Sequence, residues 1–222
     1  MLFSEKYFRE TQSILEQMNH GSIETLAQAL LGVRNEQGRL FFLGVGGSAG
    51  HASHAVNDFR KIAGFEAYCL TDNVSELTAR INDESWESCF RELLKGSRLK
   101  PRDAIFVLSV GGGSQAKKIS VNLVEAVDYA SSVGAKVFGI LGKDGGFTAQ
   151  RATACVVIPP LMPERVTPHT EGLCAVVWHL LVSHPLLQLH PTTWESQQRE
   201  HEGSASGGIH HSEEEARPGV MV

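Results

Sequence analysis

Short unbroken apolar runs alternate along the chain with longer stretches in which apolar residues recur every three or four positions. Leu40-Phe41-Phe42-Leu43, Ala104-Ile105-Phe106-Val107-Leu108 and the segments 136–141 and 154–158 are runs of the first kind, and Ala67-Tyr68-Cys69-Leu70 is a weaker one. Strands of a parallel sheet read this way because helices cover them on both faces. Helical spacing marks the segments between, over 49–63, from the third strand's loop to about 132, and over 168–182. Two helices precede the first strand. Phe3, Tyr7, Thr11, Ile14, Leu15 and Met18 trace one, His20-Gly21 breaks the pattern, and residues 23–31 form the second. Their apolar stripe packs either on this domain or on another subunit. Five strands joined by helical crossovers predict an α/β fold with a doubly wound parallel sheet.

Glycine stands where those runs end, which is the edge at which such sheets bind ligands. Gly44-Val45-Gly46-Gly47-Ser48-Ala49 fits the G-x-G-x-x-G/A pattern between a strand and a helix. That geometry aims backbone N–H groups at any anion, and a tight turn uses the same glycines for their dihedral angles alone. Ser109-Val110-Gly111-Gly112-Gly113-Ser114 is a second such loop, read here as opening a helix directly. Its hydroxyls and amides suit a phosphate monoester. A nicotinamide enzyme has little use for a second loop, and no dependable acidic residue follows the first by about 20 positions to hold a ribose. The P-loop pattern is absent, since Asp follows Lys143 in LGKDGG. The two loops together predict a small phosphorylated ligand and no nucleotide cofactor.

Composition narrows the classes. Hydrophobic residues make up 42% of the 222 and charged ones 20%, which supports a core and excludes a wholly disordered chain. Residues 1–194 read as one domain. Residues 195–222 turn polar and acidic and read as a disordered tail, with His201, His210 and His211 solvated rather than metal-bound. A net charge of −5 carries no footprint for nucleic acid or anionic membrane. No apolar run approaches the ~18 residues of a membrane span, and MLFSEKYFRE is not a signal-peptide pattern. Cys69, Cys89, Cys155 and Cys174 lie far apart, which suits reduced, buried thiols. A cytoplasmic location is the expectation.

Several ordered motifs go further. GVGGS at Gly44, TDNVSELTARIND from Thr71, SVGGGS at Ser109, LGKDGG at Leu141 and the helix ending in Trp178-His179 together resemble the sugar isomerase (SIS) domain family. Within it the chain is most similar to the phosphoheptose isomerases, which interconvert sedoheptulose 7-phosphate and glycero-manno-heptose 7-phosphate. The resemblance runs from the N-terminal helices to about Pro185. It implies a flavodoxin-like sheet and a homotetramer with active sites between subunits, built in part by the N-terminal helices. Carried over by position, Gly46, Gly47, Ser48, Asp83 and Glu171 fall at the substrate. Ser109 and Ser114, with the amides of Gly111, Gly112 and Gly113, fall at its phosphate. His54, Asp58, Glu171 and His179 match the positions that handle protons or, in some members, hold zinc. The family usually has Asn at Val45, Ser-Thr-Ser-Gly-Asn-Ser at 109–114, Glu at Asp58 and Gln at Glu171, so polar contacts are lost and one carboxylate is shortened. SIS domains also serve as non-catalytic phosphosugar-binding or adaptor modules, which is the alternative function.

Aldose–ketose isomerisation needs a base at carbon and an acid/base at the oxygens of an enediol. His54 and Asp58 stand i, i+4 on one helical face. Asp58 is the candidate base and His179 its acid/base partner. The same residues with Glu171 form a candidate zinc set, although Glu171 and His179 are about 12 Å apart along a straight helix. Other readings stand beside these. His54 pairs locally, Asp58 is a surface carboxylate near Arg60 and Lys61, and His179 is a core histidine. His51 and His169 fall near the same region, and a solvent-facing role explains each equally well; His184 and His190 flank prolines in the exit from the last helix. Met18, Phe41, Phe42, Phe106 and Trp178 are packing residues.

Overall fold

The apolar runs become five strands in a computed structural model that describes residues 1–191. In chain order the elements are α1 (Phe3–Glu16), α2 (His20–Asn35), β1 (Arg39–Leu43), α3 (Gly47–Lys61), β2 (Glu66–Cys69), α4 (Val74–Asp83) and α5 (Cys89–Gly96). There follow β3 (Ala104–Ser109), α6 (Val121–Ser132), β4 (Lys136–Leu141), α7 (Gly146–Arg151), β5 (Ala154–Val157), a 3-10 turn at Pro163–Arg165 and α8 (Val166–Ser183). Every pairing is parallel and the strand order is β2-β1-β3-β4-β5. Such a sheet buries both faces, as the sequence predicts. One core, under α2, α3 and α8, holds Phe42, Phe59, Phe106, Phe138 and Trp178. The other, under α5 and α6, holds Phe41, Phe90, Ile105 and Val137.

The strand order reverses between β1 and β3, and both glycine loops leave the sheet there, at the carboxyl ends of those two strands. A ligand-sized gap opens at such a switch point because the crossovers on its two sides depart to opposite faces. At the other edge Asp103 is fully buried and ties the strand starts together. It accepts from the backbone N–H of Arg39 and Lys100, both at 2.9 Å, and from Arg39 Nη2 at 2.7 Å.

Four expectations need correction. His20 and Gly21 do not end a helix but begin α2, whose N-cap Asn19 accepts from the Ser22 N–H at 3.1 Å. The second glycine loop does not open a helix: α6 starts only at Val121, and residues between form a small antiparallel bridge, Ser114 with Ile119. Helices α4, α5 and α7 add to the predicted set. His169 is buried rather than solvent-facing. Its Nε2 lies 3.1 Å from Glu10 Oε2 and its ring stacks on Tyr7 at 4.4 Å between centroids. The stripe Tyr7, Thr11, Ile14 and Met18 thus turns toward the domain, with Thr11 3.4 Å from His169 Nδ1, while Phe3, Phe8 and Leu15 stay exposed. The expected tail at 195–222 and its three histidines lie outside the described residues.

Candidate active site

The first loop requires its glycines. A Cβ on Gly44 would run into the Ser48 carbonyl, and one on Gly47 would sit 2.7 Å from Glu171 Oε1. Gly46 adopts φ +63°, open to glycine at no steric cost. The turn is tight enough that α3 begins at Gly47, so buried Ser48 lies within the helix's first turn. Glu171, on the second turn of α8, therefore faces the start of α3.

One side of α3 continues to His54 and Asp58. Asp58 Oδ2 lies 3.9 Å from His54 Nε2 and 3.8 Å from His179 Nε2, while Asp58 Oδ1 accepts from Asn57 Nδ2 at 2.8 Å. The carboxylate side chain is only 14% exposed, whereas His54 and His179 are 59% and 51% exposed. Asp58 is thus no free surface carboxylate, and His179 is no core histidine. Buried Trp178 stands behind both rings, edge-on to His54 at 4.7 Å and stacked with His179. His179 Nδ1 is 2.7 Å from the Ala175 carbonyl, which can only accept. Nδ1 therefore carries the hydrogen, and in the neutral ring Nε2 presents its lone pair to the Asp58 side.

Three of the four proposed metal ligands come together: the ligand atoms of His54, Asp58 and His179 all lie within 4.8 Å of one another. Two imidazoles and a carboxylate are a donor set that suits zinc. Glu171 does not join them. It meets α3 at Gly47 while His179 meets it at His54 and Asp58, so the two helices run side by side and in the same direction. The eight-residue separation is held open by that packing.

The second loop spends some of its polarity on itself. The Gly112 N–H donates to Ser109 Oγ at 3.0 Å, and the Ser114 N–H to the Ile119 carbonyl at 2.8 Å. Its remaining rim, Gly111, Gly113 and Ser114, lines a cavity of about 420 Å³. Buried Thr148 clamps the loop from behind, donating through Oγ1 (2.7 Å) and N–H (2.9 Å) to the Gly112 carbonyl. Asp83 is exposed at the end of α4 with Asn82 Nδ2 as its donor, 2.8 Å away, and stands outside the histidine cluster. The thiols offer no nucleophile. Burial pushes Cys174 up to about 12 and Cys89 up to about 11.

A doubly wound parallel sheet with two glycine loops at its switch point, and with a carboxylate set between two histidines, defines an α/β protein of the doubly wound class. Comparison with known proteins gives the family. A model of the SIS domain matches residues 6–142. The lincomycin biosynthesis protein LmbN of Streptomyces lincolnensis is 33% identical over 170 residues, covering 74% of this chain but 60% of that protein. The phosphoheptose isomerase of Chlorobium phaeobacteroides is 30% identical over 166 residues, 72% of this chain and 70% of its own length. The structure of phosphoheptose isomerase GmhA from Neisseria gonorrhoeae superposes with a TM-score of 0.69 at 23% identity, over 81% of this chain and 95% of that one. The chain belongs to the SIS domain family.

Proposed function

We propose that the protein is an aldose–ketose isomerase of phosphorylated sugars, converting sedoheptulose 7-phosphate to D-glycero-D-manno-heptose 7-phosphate through an enediol. The relatives named phosphoheptose isomerase support the substrate. The observation that carries the chemistry is Asp58 Oδ2 between two imidazole Nε2 atoms, at 3.9 and 3.8 Å. Asp58 removes the proton from C1 of the ketose and returns it at C2. His179, with its Nε2 lone pair available, moves the proton between the C1 and C2 oxygens. His54, Asp58 and His179 are the residues that would hold zinc, which when bound polarises the carbonyl as a Lewis acid. Ser48 and Glu171 orient the sugar, with Gly46, Gly47 and Asp83 completing its contacts; Gly111, Gly113 and Ser114 seat the phosphate, and Ser109 and Gly112, hydrogen-bonded to each other, shape the loop that carries them. No nucleotide takes part.

Distance argues for a shared site. Ser48 and Asp58 are ten residues apart on α3, about 15 Å along the helix axis at ~1.5 Å per residue. The carbon chain of a heptose spans six bonds of about 1.5 Å each, so one sugar reaches both residues of a single subunit only when fully extended along the helix. Sugar contacts from one subunit and the Asp58 cluster from another resolve this, in a homotetramer, as the family resemblance implies. No helix among the described residues is long and apolar enough to cross a membrane, and a cytoplasmic setting completes the proposal.

The test is isomerisation in deuterium oxide followed by proton NMR. Wild-type protein with sedoheptulose 7-phosphate gives an aldose deuterated at C2, while Asp58→Asn loses turnover by at least about 100-fold and keeps phosphosugar affinity within a few-fold. Unchanged kcat in that variant removes Asp58 as the base.

A further inference from the structure

The second loop has fewer polar groups to offer a phosphate than its length suggests, since the amides of Gly112 and Ser114 are used internally. The cavity it floors is ringed instead by cations. Lys117 and Lys143 both line it, from different segments: Lys117 from the bridge-forming insert before α6, Lys143 from the loop after β4. Both are exposed, and neither makes an ion pair with a described carboxylate. Asp144 lines the cavity too, its Oδ1 accepting from the Gly146 N–H at 3.1 Å, and its one negative charge against two lysines leaves the lining net positive.

Two features set Lys143 in place. The loop that carries it is docked backbone to backbone on the second glycine loop, with the Phe147 N–H donating to the Gly113 carbonyl at 2.9 Å and Thr148 to that of Gly112. Its own backbone stands at φ +51°, as does that of Lys118, a conformation that side chains other than glycine seldom adopt. Glycine at 143 would satisfy the turn without strain, so the residue can be replaced by glycine without loss of the loop's conformation.

We propose that Lys117 and Lys143 form a two-cation clamp that closes on the substrate's phosphate monoester above Gly111, Gly113 and Ser114. This rests on the reading of the second loop as the phosphate seat. The ammonium groups supply the charge-assisted contacts that the loop's glycines and inward-turned amides do not. Lys118, next in sequence, lines a different cavity with Glu87 and Glu125 and takes no part.

Inorganic phosphate titrated into the full-length protein by calorimetry tests the clamp without requiring turnover. Lys143→Gly removes the cation and relieves the strained backbone, so lost affinity in that variant is not lost folding. Lys117→Gln removes the other cation, and Lys118→Gln is the control. The expected result is a Kd about 10-fold weaker in Lys143→Gly and in Lys117→Gln, unchanged in Lys118→Gln, and a shallower salt dependence in the first two. Wild-type protein that ignores phosphate, equal affinity in all four proteins, or an equal loss in Lys118→Gln overturns the clamp. Turnover of sedoheptulose 7-phosphate is read separately, so phosphate binding without isomerisation defeats the isomerase proposal and leaves the clamp standing.

Discussion

The role proposed for His179 depends on one hydrogen bond. Because its Nδ1 is committed to the Ala175 carbonyl one turn back, only Nε2 can exchange a proton or bind a metal, and that atom points toward Asp58. His179→Gln should therefore lower kcat by about 10²–10⁴-fold with KM nearly unchanged, measured by steady-state isomerase kinetics. A large rise in KM with kcat intact would make His179 a binding residue instead. The types and spacing of this cluster were readable from sequence, since i, i+4 on a helix is a local rule. The exposure of His179 was not. It sits among Val176, Val177, Trp178 and Leu180, and only the direction of each side chain on α8 shows that Trp178 is buried while Val176, His179 and Leu180 face outward. His169 failed in the opposite sense, because its partner Glu10 is 159 positions away.

At the scale of elements, what was legible followed apolar continuity. All five strands emerge where the runs lie: the central β1, β3 and β4 are buried on both faces and so read as unbroken apolar runs, while the edge strands β2 and β5 alternate in burial and read more weakly. Helix α4 buries no residue, and α5 and α7 are eight and six residues long, so none carries a period long enough to read. The late start of α6 was hidden for another reason. Ser114 and Ile119 pair across the insert, and nothing in SQAKKIS distinguishes that bridge from a first helical turn. The docking of the two loops was equally invisible, yet it makes a sharp prediction. Gly112 stands at φ +65° with the Gly145 carbonyl against the place a Cβ would occupy. Gly112→Ala should cost at least about 1–2 kcal/mol from the left-handed backbone alone, lowering Tm. It should also weaken phosphate binding, since loop and cation move together. A second prediction belongs to the α1–α8 contact. Arg165 donates to both oxygens of Glu10 at 2.7 Å, and His169 adds a third contact, which together hold the Glu10 carboxyl down at about 2 against an opposing effect of burial. A depressed carboxylate stabilises the fold fully above its unfolded value near 4.5 and loses that contribution as pH falls toward 2. Thermal melts of wild type should fall across that window, and Glu10→Gln should lower Tm at neutral pH while flattening the fall. Parallel curves for the two proteins would mean that Glu10 is not linked to acid unfolding.

Among the described residues, α1 carries apolar side chains that nothing covers. Helix α1 gives only Glu10 and Ile14 to the interior, and Phe3 and Phe8 are 68% and 71% exposed beside exposed Met1, Leu2 and Leu15. Apolar residues gathered on one element are an association surface more often than a free one. The α3–α8 pair, meanwhile, separates Ser48 and Glu171 at one end from the Asp58 cluster at the other, so on the proposed function a single protomer would carry two partial sites rather than one complete site. These two facts have a common answer if α1 brings copies of the chain together and each active site draws on more than one of them. Phe8→Glu tests that link, because the residue is far out on α1 and its replacement leaves the packed side of the helix, Tyr7, Thr11 and Ile14, untouched. Light scattering coupled to size-exclusion chromatography should give a tetramer for the wild type and a smaller species for the variant, with circular dichroism unchanged. Isomerase activity should fall with the mass and recover as protein concentration is raised. A variant that stays tetrameric would free α1 from the interface, and a dissociated variant that keeps full activity would return the complete site to one subunit.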